Sequence, residues 1–186
     1  MPEPKIKRLH DEEPEGDETQ DHAFLGREFM TWLVWRVARA DATFEDDAGE
    51  MVFAFGGKLR VVAPAGDVSD ATFKGRSPAA SVELLASIGA GRTLREAELR
   101  VTRGEREFRF GLVAETLDLK GVKLPSVLKD EGDDRLGERM ALLAELESCI
   151  QTAFQAFLKE RTRPVWQRSI IPDMRSWLAA GLEVEG

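Results

Sequence analysis

A chain of 186 residues with a net charge of −8, one cysteine and no tyrosine is sized for one domain, or a domain plus a tail. Its lone Cys149 excludes an intrachain disulfide and fits a reducing compartment. No apolar run reaches the roughly 18 residues of a membrane span and no signal peptide opens the chain, so no membrane partner and a cytoplasmic location are expected; the negative charge leaves room only for a local basic face.

Residues 1–22 hold eight acids against three bases, and Ile6 and Leu9 are their only apolar side chains apart from Met1 and the prolines. Such a segment cannot bury enough surface to offset its ordering entropy, so a disordered acidic tail is expected there. Residues 23–186 are nearly neutral and form one domain, which at that size buries roughly 70% of its unfolded surface.

The stretch FLGREFMTWLVWR, Phe24 to Arg36, begins a helix expected to end near Ala40. Leu25, Phe29, Trp32, Leu33 and Arg36 recur at helical steps, while Met30, Val34 and Val37 cover much of the remaining circumference. A helix apolar nearly all round belongs at the centre of a fold. Gly26 costs about 1 kcal/mol there relative to alanine, which is tolerable where something packs closely.

Two hairpins are expected next. The first turns at Gly56-Gly57, with Ala54 opposite Leu59 and Val52 opposite Val61. A short strand, Ala71 to Lys74, and a short helix, about Ala79 to Ile88, follow. The second hairpin turns at Arg103-Gly104, its strands near 95–102 and 105–113. Ala97, Leu99 and Val101 alternate with Glu96, Glu98, Arg100 and Thr102. A strand near Thr116 to Leu119, a turn near Gly121 and a linker from Pro125 to Gly132 come before the longest helix. That helix starts near Asp133 and carries Leu136, Met140, Leu143, Leu146, Ile150, Ala153 and Phe157 at three- and four-residue steps. Pro164 interrupts it, and Pro172 breaks the chain again before Met174 to Ala180. The fold class is α+β: an antiparallel sheet of two hairpins plus short strands, packed with a central N-terminal helix and a long C-terminal helix.

Chemistry is mostly excluded. Both histidines, His10 and His22, lie in the tail segment, which closes histidine-based triads, cysteine-histidine pairs and zinc sites for the body. The acids Asp130, Glu131, Asp133 and Asp134 lack the spacing of a calcium loop and suit a helix N-terminus instead. Gly56-Gly57-Lys58 and Gly89-Ala90-Gly91-Arg92-Thr93 lack the frame of a phosphate loop. No catalytic residue, metal or cofactor is therefore expected. Arg27 and Glu28 read as structural ion pairs, with Asp134, Arg135, Glu138 and Arg139 as partners if the two long helices cross at their N-terminal ends.

The basic residues are the remaining candidates. Pairing Thr102 with Glu105 sets Arg100 opposite Glu107 and Glu98 opposite Arg109, so these arginines are matched across the strands. Arg92, Arg95, Arg103 and Arg106 are left for an external anion. Lys159, Arg161, Arg163 and Arg168, around the end of the long helix, form a second free set.

FLGREFMTWLVWR, with its Gly-Arg-Glu-Phe core, resembles a segment of the recombination-associated protein RdgC family. The likeness continues in LREAELRVTRGEREFRFGLVAETLDLKGVKLP (94–125), DDRLGERMALLAELESCIQTAFQAFLKER (133–161) and MRSWL (174–178). It covers most of the body in the same order and corresponds to the C-terminal part of longer family members, with an acidic tail in place of the other part. The resemblance implies a non-enzymatic protein that binds DNA with little sequence preference, forms oligomers, and acts around recombination and replication. The matching segments read as core, so no functional residue carries over by position. Two readings stand: a DNA-associated accessory protein, or a protein-interaction or assembly module with a protein partner or a second copy of itself.

Overall fold

The structure is a computed structural model and describes residues 18–63, 70–75, 81–126 and 132–182. In chain order it contains α1 (Glu18–Ala38), β1 (Thr43–Asp46), β2 (Gly49–Val62), β3 (Ala71–Lys74), α2 (Val82–Gly89), β4 (Thr93–Arg103), β5 (Arg106–Val113), β6 (Leu119–Lys123), α3 (Gly132–Arg161), a π-helical turn (Trp166–Ile170) and α4 (Ile171–Leu182). The α+β class expected from the sequence is the class found. Six antiparallel strands form one sheet in the order β1-β2-β4-β5-β6, and β3 pairs with the second half of β2 beyond β1.

The sheet has one buried face. Phe53, Phe55, Leu59, Leu99, Val101, Phe108 and Phe110 point into the core, while Glu98, Arg100, Arg109 and Lys120 face solvent. This is the alternation expected of an antiparallel sheet packed on one side only. α1 packs on β2 and β4, α3 on β1, and α2 against α4. Phe29 and Trp32 of α1 are fully buried, with Phe157 of α3 at ring-centroid distances of 5.7 and 5.6 Å. Trp166 closes the cluster edge-on to Phe157 at 5.5 Å.

Gly26 shows why a glycine stands in this helix. A Cβ there would lie 1.7 Å from the backbone oxygen of Ala114, just after β5. The close packing that makes a helical glycine tolerable is thus backbone against backbone.

Several elements differ from the sequence reading. α1 begins at Glu18, inside the segment expected to be disordered; once a packed helix exists, each added residue gains a hydrogen bond without a new nucleation cost. The rest of that segment, residues 1–17, lies outside the described residues, as do 127–131 of the expected linker and the first residues of the helix expected at Ala79. β1 was not anticipated, and Gly56-Gly57 is not a hairpin turn. β2 runs straight through it, with the three residues between Phe55 and Leu59 set against the one between Leu99 and Ala97. The glycines accommodate a bulge instead, because the Glu98 side chain lies over them and a Cβ on Gly56 would meet its Cγ at 2.7 Å. The true first hairpin joins β1 to β2, pairing Asp46 with Gly49.

The second hairpin exists with its register moved by two residues. Arg103 pairs with Arg106, Thr102 with Glu107 and Arg100 with Arg109. Gly104, at φ +58°, takes the first central position, where a two-residue hairpin turn needs left-handed backbone. A two-residue shift keeps every side chain on its face. β6 lies later than expected because the preceding turn is closed by a hydrogen bond from Val113 N–H to the Asp118 carbonyl, with Leu117 left-handed. Pro172 does not break the chain: the helical run continues from the π turn into α4, with the Ile171 N–H reaching back five residues to the Trp166 carbonyl just ahead of the proline. Among the described residues no helix is long and apolar enough to cross a membrane.

Candidate binding surface

Strand alternation places Arg103 on the same face as Leu99 and Val101, and the structure buries it there, 8% exposed. Its guanidinium donates to Asp46 Oδ2 at 2.6 Å and approaches Met51 Sδ at 3.5 Å. Ser148 and Thr152 of α3 donate to the same carboxylate oxygen at 3.4 Å. Burial alone would raise the Asp46 carboxyl, but hydrogen bonds from Arg103 and the Ala48 N–H, with the arginine's charge, outweigh it and hold the carboxyl below its usual value. Cys149, buried alongside, is pushed the other way: desolvation raises its thiol, the charges of Glu145 and Asp46 add to this, and Arg103 offsets only part. This cluster ties β1, β4 and α3 together and is occupied by its own charges.

The expectation that Arg103 and Arg106 lack acidic partners is therefore corrected. Arg106 donates to Glu145 of α3 at 2.6 Å. The groove beside their turn is also lined by Glu50, Glu105 and Glu107, which disfavours a phosphate there. Arg92 is engaged in an interaction of its own. Of the hairpin set only Arg95 is exposed without a partner among the described residues. The sequence missed Asp46 and Glu145 because one sits in an unanticipated strand and the other across a helix–sheet contact. The alternation of Leu99, Val101 and Arg103 was the signal available.

Arg27 and Glu28 do form structural ion pairs, with other partners than expected. Arg27 pairs with Glu115, and Glu28 accepts from Arg161 Nε at 2.5 Å. The reason is the helix crossing: α1 meets the C-terminal end of α3, where Glu160 also accepts from Trp32 Nε1 and Arg36, both at 2.9 Å. Glu138 and Arg139 lie far along α3 from this crossing. Glu138 has an interaction of its own, and Arg139 is exposed. Arg161, one of the second basic set, is thus used internally, and its guanidinium also lies 5.8 Å from the Phe24 ring.

The other three of that set, Lys159, Arg163 and Arg168, are exposed with no ion pair among the described residues, and Arg175 of α4 joins them. Arg175 also lines a mainly apolar slot of about 310 Å³ between α1 and α4. Phe24 forms one wall, with the stems of Arg27 and Glu28; Ile171, Met174 and Leu178 form the other, and Trp166 lies at its base. Phe24 is 54% exposed. Two stretches from opposite ends of the sequence, FLGREF and MRSWL, meet across this slot. No group of three or more histidine, cysteine or acidic residues among those described is placed to hold a metal, and Asp130 and Glu131 lie outside them. The arrangement offers exposed positive charge and apolar contact. No protein-family model matches this chain, and no curated protein does either.

Proposed function

We propose that this is a non-enzymatic, DNA-associated accessory protein of the cytoplasm that binds nucleic acid weakly and without sequence preference, using the cations at the end of α3. The observation that carries the reading is the exposure of Lys159, Arg163 and Arg168 without acidic partners in a chain that is otherwise acidic. Arg95 is a further exposed cation; Arg92, Arg103, Arg106 and Arg161 are internally engaged and are not assigned to the surface. The resemblance to the RdgC family agrees with this reading. Phosphate contacts carry no base information, so affinity should be similar across unrelated sequences.

Retention on duplex and single-stranded DNA at low salt tests it. Reversing Lys159, Arg163 and Arg168 to Glu should abolish retention, and single reversals should flatten the salt dependence by about 0.9 per lost contact on duplex. Arg106→Glu should leave retention unchanged. A second reading, a protein-interaction or assembly module, is favoured by the exposed apolar slot beside Phe24. A well-folded sample that retains neither form of DNA would decide for it.

A further inference from the structure

We propose that the slot between α1 and α4 is a docking surface for the chain's own residues 1–17, with Ile6 and Leu9 as apolar anchors and the acidic run Asp11 to Asp17 lying against the surrounding cations. Three observations converge on this occupant. The slot is walled by apolar side chains on both sides, with Phe24 more than half exposed. Arg175 lines the slot itself, and Arg163 and Arg168, exposed and without an ion pair among the described residues, flank its lining residue Trp166 in the chain. The peptide N–H of Trp166, at the base of the slot, donates to the Arg163 carbonyl at 3.0 Å, which fixes that backbone beside it.

The N-terminal segment has the complementary chemistry. Asp11, Glu12, Glu13, Glu15 and Asp17 crowd into seven residues without a base. Ile6 and Leu9 are the apolar side chains that precede them. The tether is also right. Phe24 lies six residues into α1 from Glu18, about 9 Å along a helix. The nine residues from Leu9 to Glu18 reach about 30 Å when extended, and Pro14 and Gly16 are residues that favour a reversal of direction. Two anchors alone would bind poorly as a free peptide, but covalent linkage through a short stretch of chain supplies an effective concentration in the millimolar range. A docked acidic run would occupy the cations assigned above to phosphate. The docking itself stands whether or not DNA is the ligand.

Trypsin reads this contact in the full chain, because Lys7 and Arg8 lie between the two anchors. Initial loss of residues 1–7 and 1–8 is followed by intact mass, each rate being divided by that of the matching free synthetic peptide 1–17. The wild-type chain should be cut about tenfold more slowly than its peptide, as a segment docked nine-tenths of the time requires. Ile6→Ser/Leu9→Ser should erase that protection. So should Arg163→Glu/Arg168→Glu/Arg175→Glu, and so should about 1 M salt, where charges are screened within about 3 Å. Equal normalised rates in wild type and the serine variant overturn the proposal. Protection that grows with protein concentration also overturns it, since the occupant would then be the segment of a second copy. No nucleic acid enters the assay, so its outcome is separate from that of the DNA test.

Discussion

The backbone oxygen of Ala114 stands 1.7 Å from where the Cβ of any other residue at Gly26 would lie. A backbone atom at the end of a strand cannot swing aside as a side-chain tip can, so α1 and β5 would have to separate. Gly26→Ala should cost toward the upper end of about 1–3 kcal/mol, a melting temperature lower by roughly 6–12 °C for a chain of this size. Gly137→Ala is the internal control, since nothing lies within 4 Å of its site in α3. It should gain up to about 1 kcal/mol from helix propensity alone. Thermal unfolding of the two variants should move in opposite directions.

Glu28→Gln keeps the side-chain shape but removes the charge that Arg161 faces at 2.5 Å. Both side chains are partly solvated, so the loss should be near 1 kcal/mol. A double-mutant cycle with Arg161→Gln should return a coupling of that order. Unchanged stability together with lost binding would move Glu28 from structure to function.

Arg103→Met should damage the fold rather than any binding surface. It leaves Asp46 without its charge partner, and because that carboxylate is partly solvated and keeps the Ala48 N–H, the cost should be about 1–3 kcal/mol. Adding Asp46→Leu should recover much of that loss in chemical denaturation, because it removes the uncompensated charge.

The same pair sets an acid limit. Asp46 has a folded-state value below the unfolded carboxylate value of about 3.9. Its contribution is therefore fully present above that unfolded value and is lost as pH falls through the lower folded one. Asp46→Asn should be less stable than wild type at pH 7, and the gap should narrow below about pH 4. A gap that stays constant across that window would show that the carboxylate's charge is not what stabilises the site.

Cys149 should resist thiol reagents in the native protein. It is fully buried and its thiol is held above its ordinary value, so little thiolate exists and none is reachable. Labelling with a chromogenic disulfide at pH 8 should proceed at the rate of structural opening, and denaturant should release one fast equivalent. Rapid native labelling would place the α3–β1 contact among the locally open parts of the fold.

What the sequence made legible was periodicity. α1 reads as central because its apolar residues cover nearly all of its circumference, and α3 reads as long because its stripe runs from Leu136 to Phe157. Strand alternation put Leu99 and Val101 inward correctly. Pairing was less legible, because it depends on which partner is longest. Gly56-Gly57 has the chemistry of a turn, yet β4 offers hydrogen bonds to both halves of β2, and the glycines serve as a bulge under Glu98. Ion-pair partners were hidden for a related reason. The stripe on each helix reports which face is buried but not where two helices cross, so Glu28 meets Arg161 and not the first turns of α3. Arg103 was misread because its charge outweighed its place in the alternation.

The crossing of α1 with the end of α3 has a consequence for how the protein is made. Trp32 reaches its hydrogen-bond partner Glu160 across 128 residues of chain. At a synthesis rate of about 5–20 residues per second, roughly 6–26 s pass between the two leaving the ribosome's catalytic centre. During that interval the nascent chain carries a helix apolar nearly all round, with Phe154 and Phe157, which pack on it, still unmade. Ribosome-bound chains that end before Phe154 should therefore be strong clients of holdase chaperones, and release of that grip should coincide with the emergence of the Phe154–Trp166 segment.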